Sequence, residues 1–120
     1  MNKIYAFDYM LSLFEQWNSE EAKEYANFGN NSKLSMLKLL FLTAAPKEGG
    51  SKDLLDTFDN FFALPYGPVE SDIYNAIQKN ELSSYVLTER SITKRENIIL
   101  PYKVEDYLPV KDAVDVLKKI

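Results

Sequence analysis

Phe61-Phe62-Ala63-Leu64-Pro65-Tyr66-Gly67-Pro68-Val69-Glu70-Ser71-Asp72-Ile73-Tyr74 changes backbone character in its middle. Up to Tyr66 it is apolar and interrupted by Pro65, and a residue that precedes proline is pushed toward extended geometry. At Gly67-Pro68 the pattern predicts a helix. Glycine is an acceptable N-cap, and proline at the first helical position gives up an N–H that has no partner there anyway. Glu70 then falls in the first turn, where its charge suits the positive end of the helix dipole. Val69, Ile73, Ala76 and Ile77 recur at helical spacing and give this helix a face to bury. The local expectation is an apolar extended segment, a rigid corner and an amphipathic helix, with Tyr66 and Tyr74 on either side of the corner.

Upstream, Leu54, Leu55, Phe58, Phe61 and Phe62 are spaced by threes and fours, which suggests a short amphipathic helix over Asp53–Phe62, with its last residues open to an extended alternative. Before it, Lys47–Ser51 contains Gly49-Gly50 and reads as a loop, with no Gly-Lys-Ser that would make it a phosphate loop. Lys33 to about Ala45 is apolar nearly all round, so it reads as the central core helix, capped by Ser32 and ended by Ala45-Pro46. Lys38 among those apolar neighbours should carry its amine to the surface or meet a carboxylate. Residues 3 to about 27 read as the first helix, with Ile4, Phe7, Leu11 and Phe14 in one stripe widened by Met10 and Leu13. Ser19 could cap a second short helix after a break near Asn18, and Gly29 suits a left-handed helix end. Beyond the corner helix, Tyr85–Thr88 and Asn97–Leu100 have strand composition and suggest a small hairpin. Pro101 and Pro109 bound an irregular piece, and Lys111–Ile120 closes as a helix with Val110, Ala113, Val114, Leu117 and Ile120 on one face. The expected fold is therefore mainly α: one domain over residues 1–120, of about five helices, with a small β-hairpin near residues 85–100.

Ala63-x-x-Tyr66-Gly67-Pro68-Val69-x-x-x-x-Tyr74 resembles the signature of the Panacea antitoxin domain, the family of SocA-like antitoxins and phage-associated proteins. Met36-Leu37-Lys38-Leu39-Leu40-Phe41 is similar to that family's first core helix, and the distance from Phe41 to Ala63 is similar too. The resemblance covers roughly residues 33 to 77. Leu64 stands where the family usually shows tryptophan, Leu37 where it prefers a polar residue, and Phe41 where tyrosine is common. The resemblance implies a protein that binds a cognate protein toxin directly; in the SocA-like branch, it implies an adaptor that delivers its toxin to a ClpXP-type protease. Lys38, Ala63, Gly67, Pro68 and Val69 are the structural residues of the matched motifs. Tyr66, Glu70 and Tyr74 are the expected toxin contacts if the signature also reads the partner.

The totals narrow the function classes from the other side. Apolar residues make up 46% and charged residues 27%, which suits a folded domain rather than a disordered chain. There is no cysteine and no histidine, so disulfides, thiolate zinc sites and the commonest general base are all unavailable. The near-neighbour carboxylates Asp53, Asp56 and Asp59, and Glu105 with Asp106, stand in no metal or glycosidase pattern. No nucleophile elbow occurs. The expectation is a protein without catalysis, cofactor or metal. No leader pattern and no apolar run long enough for a membrane span stand out, so the expected location is cytoplasmic.

A net charge of −4 makes nucleic-acid binding an unfavoured expectation. Residues 90–103 are nevertheless locally basic, through Arg90, Lys94, Arg95 and Lys103 against Glu96. This leaves one alternative: a winged-helix-like DNA-binding regulator, with a helix-corner-helix over residues 53–79 and a basic hairpin as its wing. Against it, Glu70, Asp72 and Glu81 outnumber Lys79 on the helix that would face phosphate.

Overall fold

The computed structural model describes residues 1–21, 28–46 and 54–119. Among these, four α-helices and two antiparallel hairpins follow in the order α1 (Lys3–Glu21), α2 (Lys33–Ala44), β1 (Phe61–Leu64), β2 (Gly67–Glu70), α3 (Ser71–Gln78), β3 (Tyr85–Leu87), β4 (Ile92–Lys94) and α4 (Leu108–Lys118). Mainly helical is right; the expected fifth helix over Asp53–Phe62 is not there. Leu54 to Phe58 make a single turn, closed by Phe58 N–H donating to the Leu54 carbonyl at 2.9 Å, and Phe61–Leu64 are extended. The spacing that suggested a helix holds for one turn only, enough to bury Leu54 and Phe58.

The core lies where the amphipathic stripes meet. Phe7, Met10, Leu11 and Phe14 of α1 pack with Met36, Leu37 and Leu40 of α2, Ile73 and Ile77 of α3, and Val110, Ala113 and Val114 of α4. α2 begins as expected: Ser32 Oγ accepts from the Ser35 N–H, and Lys38 points to the surface. α1 runs unbroken through Asn18 and Ser19, so Ser19 caps nothing; the end expected near residue 27 and the loop Lys47–Ser51 lie outside the described residues. Gly29 falls within a 3-10 turn, Phe28–Asn30, instead of a left-handed cap.

The corner is the main correction. Gly67-Pro68 does not start the helix. Phe61–Leu64 and Gly67–Glu70 pair as a tight hairpin with Phe61 opposite Glu70, Phe62 opposite Val69, Ala63 opposite Pro68 and Leu64 opposite Gly67. The helix starts three residues later, at Ser71, with Glu70 as its N-cap. Proline fits both readings for the same reason: it lacks an N–H. The Ser71 N–H donates to the Asn60 carbonyl at 2.8 Å, which fixes the alternation of the ladder. By that alternation Phe62 and Leu64 bond across to β2, whereas Ala63 and Pro68 form a pair whose backbone groups point away from each other. Pro68 therefore forfeits no ladder bond.

Pro65 cannot adopt the positive φ that primed two-residue turns need, and Tyr66 does not adopt it either. The left-handed residue falls instead at Gly67, φ +119°. A Cβ there would meet nothing within 4 Å, so any penalty is backbone strain and not a clash. Gly67→Val should cost roughly 1–3 kcal/mol for that reason. An unchanged melting temperature would show that the turn tolerates another geometry.

The second hairpin is also displaced from expectation. Tyr85–Leu87 pairs with Ile92–Lys94, not with Asn97–Leu100. Thr88 makes the turn: its N–H donates to the Ser91 carbonyl at 2.9 Å, and its Oγ1 accepts from the Arg90 and Ser91 N–H groups. Such a side-chain-stabilised turn closes the hairpin without an Asn-Gly pair. Beyond the last helical residue of α3, Gln78, Asn80 takes φ 56°, while Asn80 N–H reaches the Ile77 carbonyl and Glu81 N–H that of Ala76. That is a Schellman cap with asparagine in the glycine position. Arg95 reaches back from beyond β4 to donate to the Leu82 and Asn80 carbonyls at 3.0 and 2.9 Å.

Candidate functional site

The three residues expected to contact a partner part company. Glu70 is completely buried and belongs to the framework. Its Oε1 accepts from the Asp72 and Ile73 N–H groups at 2.8 and 3.2 Å, and its Oε2 from the Asn60 N–H at 3.1 Å. Glutamate caps this helix because the hairpin aims the longer side chain back over the first turn. Lys3, from the first turn of α1, places its ammonium against Glu70 at 2.9 Å, Asp59 at 2.7 Å and Asp72 at 2.6 Å. Three N–H donors meet three carboxylates. Asp59, Glu70 and Asp72 present oxygens close enough together to share a cation, and Lys3 supplies it.

This cluster sets an acid response. Hydrogen bonds and proximity to Lys3 hold the Asp59 carboxyl below its ordinary 3.8; Asp72 is lowered by its bonds to Lys3 and Asn60. A depressed carboxylate contributes stability above its ordinary value and loses it as pH falls through the folded one. The denaturation midpoint should therefore fall as pH drops below about 4, and Lys3→Met should flatten that slope. Both aspartates are well exposed, so the effect is modest. Equal acid slopes for the two proteins would exclude the cluster as the cause.

Tyr66 and Tyr74 do lie at a surface. Tyr66, at the hairpin tip, is 49% exposed; Tyr74 is half-buried, braced by Lys33, whose ammonium stands 5.3 Å from its ring centroid. Both line a groove of about 350 Å³ with Phe62, Leu64, Val69 and Ser71. Both also border an adjoining hollow formed by Leu34, Leu37 and Glu89. Phe62 and Leu64 are 56% and 39% exposed, large apolar side chains on one face of β1. The neighbouring Phe61 turns to the other face and packs edge-on against Phe41, 5.6 Å between centroids. Strand alternation thus splits an apparently uniform apolar run into one inward and one outward set. Sequence reading missed Phe62 and Leu64 as surface residues because it placed them in a helix or an unassigned extended end.

Of the structural residues of the motif, Val69 is buried opposite Phe62, Gly67 and Pro68 are half-buried, and Ala63 is exposed on β1.

The basic stretch is partly committed to structure. Arg95 is spent on the Asn80 and Leu82 carbonyls just past α3, and Lys94 approaches Glu15 at 3.4 Å. Residues 54–70 form a turn and a hairpin, not the first helix of a helix-turn-helix. A second polar cluster joins residues far apart in the sequence. Asp8, fully buried on α1, accepts from Ser84 N–H at 2.8 Å, Ser84 Oγ at 2.7 Å and Tyr102 OH at 2.7 Å. Burial, with the Asp8 contact second, raises the Tyr102 phenol far above its usual value and keeps it a donor. No helix among the described residues is long and apolar enough to cross a membrane. No family model, no curated protein and no solved structure matches this chain.

Proposed function

We propose that this protein is an antitoxin that neutralises a protein toxin encoded beside it by direct, non-catalytic contact. The observation that carries the reading is the cluster of solvent-facing apolar side chains Phe62, Leu64 and Tyr66 on the hairpin that holds the Panacea-like signature. Exposed aromatic and aliphatic groups gathered at a concave surface mark contact sites, since burying them against a partner recovers their hydration cost. Tyrosine is suited to such a place because it gives large area and a polar tip for little lost entropy. The lack of histidine and cysteine agrees with a binding role. Glu70 leaves the contact set, and Phe62 and Leu64 join Tyr66 and Tyr74.

Co-expression with the product of the neighbouring gene tests this. Tyr66→Ala should keep the circular dichroism spectrum and melting temperature of the parent and lose rescue of growth. Tyr74→Ala should lose rescue as well, with a small stability cost through the Lys33 contact. Folded variants that still rescue would move the interface off the hairpin. Repeating the assay in cells without a ClpXP-type protease separates simple occlusion of the toxin from its delivery for degradation.

A further inference from the structure

We infer that the partner is held by strand addition: an extended segment with alternating apolar side chains and a basic residue at one end lies along the outer edge of β1. The inference rests on the proposed binding role of the hairpin and names the mode by which it recognises.

The two edges of the hairpin differ. β2 exposes no usable donor at its centre, because Pro68 occupies the outward-pointing position, and α2 packs against that strand. β1 carries neither proline nor charge between Phe61 and Leu64, and no other described strand pairs with it. By the register, the N–H and C=O groups of Phe61 and Ala63 point away from β2, on the side where no described strand pairs. Natural edge strands are normally blunted by charge, proline or a covering element. This one has the shape of a template. An added strand would satisfy those groups and set alternate side chains beside Phe62 and Leu64, which line the groove together with Val69 and Tyr74.

Charge fixes the end group. Asn60 and Asp59 directly precede β1, and Glu70 stands opposite Phe61. One ammonium against three carboxylates leaves this end of the edge with two unbalanced negative charges, carried on the exposed Asp59 and Asp72. A lysine or arginine on the added strand would be attracted there, and an acidic residue repelled.

Random short peptides displayed on phage and selected on the immobilised full chain provide the probe. The enriched peptides should alternate apolar and polar residues and carry Lys or Arg at one end. Ala63→Pro removes one outward N–H and no β1–β2 bond, so it should keep the parent melting temperature and weaken the best peptide by about tenfold or more. N-methylation of the peptide at alternate nitrogens should weaken it similarly, in one of the two phases. Winning peptides with helical spacing, absence of any enrichment, or unchanged affinity in folded Ala63→Pro would each overturn strand addition. Growth rescue tells the two readings apart. If Ala63→Pro rescues while Tyr66→Ala does not, strand addition fails and the binding surface stands; if both rescue, the surface itself is misplaced.

Discussion

Glu70→Ala should destabilise the protein by about 2–4 kcal/mol, although the sequence places this residue among solvent-facing contacts. The carboxylate is buried and accepts from three backbone N–H groups, of Asn60, Asp72 and Ile73. Alanine removes the cap of α3 and leaves those donors facing a void that water reaches poorly. Lys3 is not orphaned, since Asp59 and Asp72 remain, so the loss stays short of that for a broken isolated ion pair. Glu70→Gln, which keeps one acceptor oxygen, should fall between parent and alanine. Chemical denaturation of the three proteins checks the order. A cost under about 0.5 kcal/mol for alanine would mean that Glu70 is replaceable by solvent, as an exposed side chain would be.

Asp8→Ala should be comparable, about 2–4 kcal/mol, for a related reason. It strands the Ser84 N–H, the Ser84 hydroxyl and the Tyr102 hydroxyl in the interior. Two effects oppose each other here. The lost hydrogen bonds are charge-assisted and strong, but alanine also relieves the cost of keeping a carboxylate in an apolar setting. The bonds should win because three donors converge on one group. The damage should be directional: Tyr102 stacks on Tyr5 and meets Tyr107 edge-on, so its release frees the segment between β4 and α4. Hydrogen exchange should accelerate at Tyr102 and Tyr107 before it does at Leu37 or Leu40. Uniform acceleration would contradict a local role for Asp8.

What the sequence made legible was local. The Ser32 cap, the all-round apolar α2, the stripe of α1 and the face of α4 each depend on residues within a turn or two of one another, and each is found close to where the pattern put it. The corner failed because Gly67-Pro68 satisfies two sets of rules equally. Only the pairing of Phe62 with Val69, a tertiary fact, chooses the hairpin. Glutamate is a poor statistical cap, so nothing flagged Glu70, and its cation lies in a helix far earlier in the chain. Asp8 was invisible for the same reason: its partners Ser84 and Tyr102 are remote in sequence. Thr88 was readable in principle, since a threonine followed by two polar residues and a serine between apolar runs is a turn signal. Of the candidate surface, Tyr66 and Tyr74 came from the motif; Phe62 and Leu64 required knowing which way the strand faces.

At eight residues α3 is too short to persist in isolation, and a hairpin stands at each of its ends. The first delivers a carboxylate that accepts from N–H groups of the first turn, and the second delivers a guanidinium that holds the Asn80 and Leu82 carbonyls of the segment leaving the last turn. The two hairpins are therefore not interchangeable modules. A loop graft that replaced the first would remove the N-cap of the helix, and one that removed Arg95 with the second would release the segment that caps its other end, so their sequences are constrained jointly, as the two jaws of one clamp.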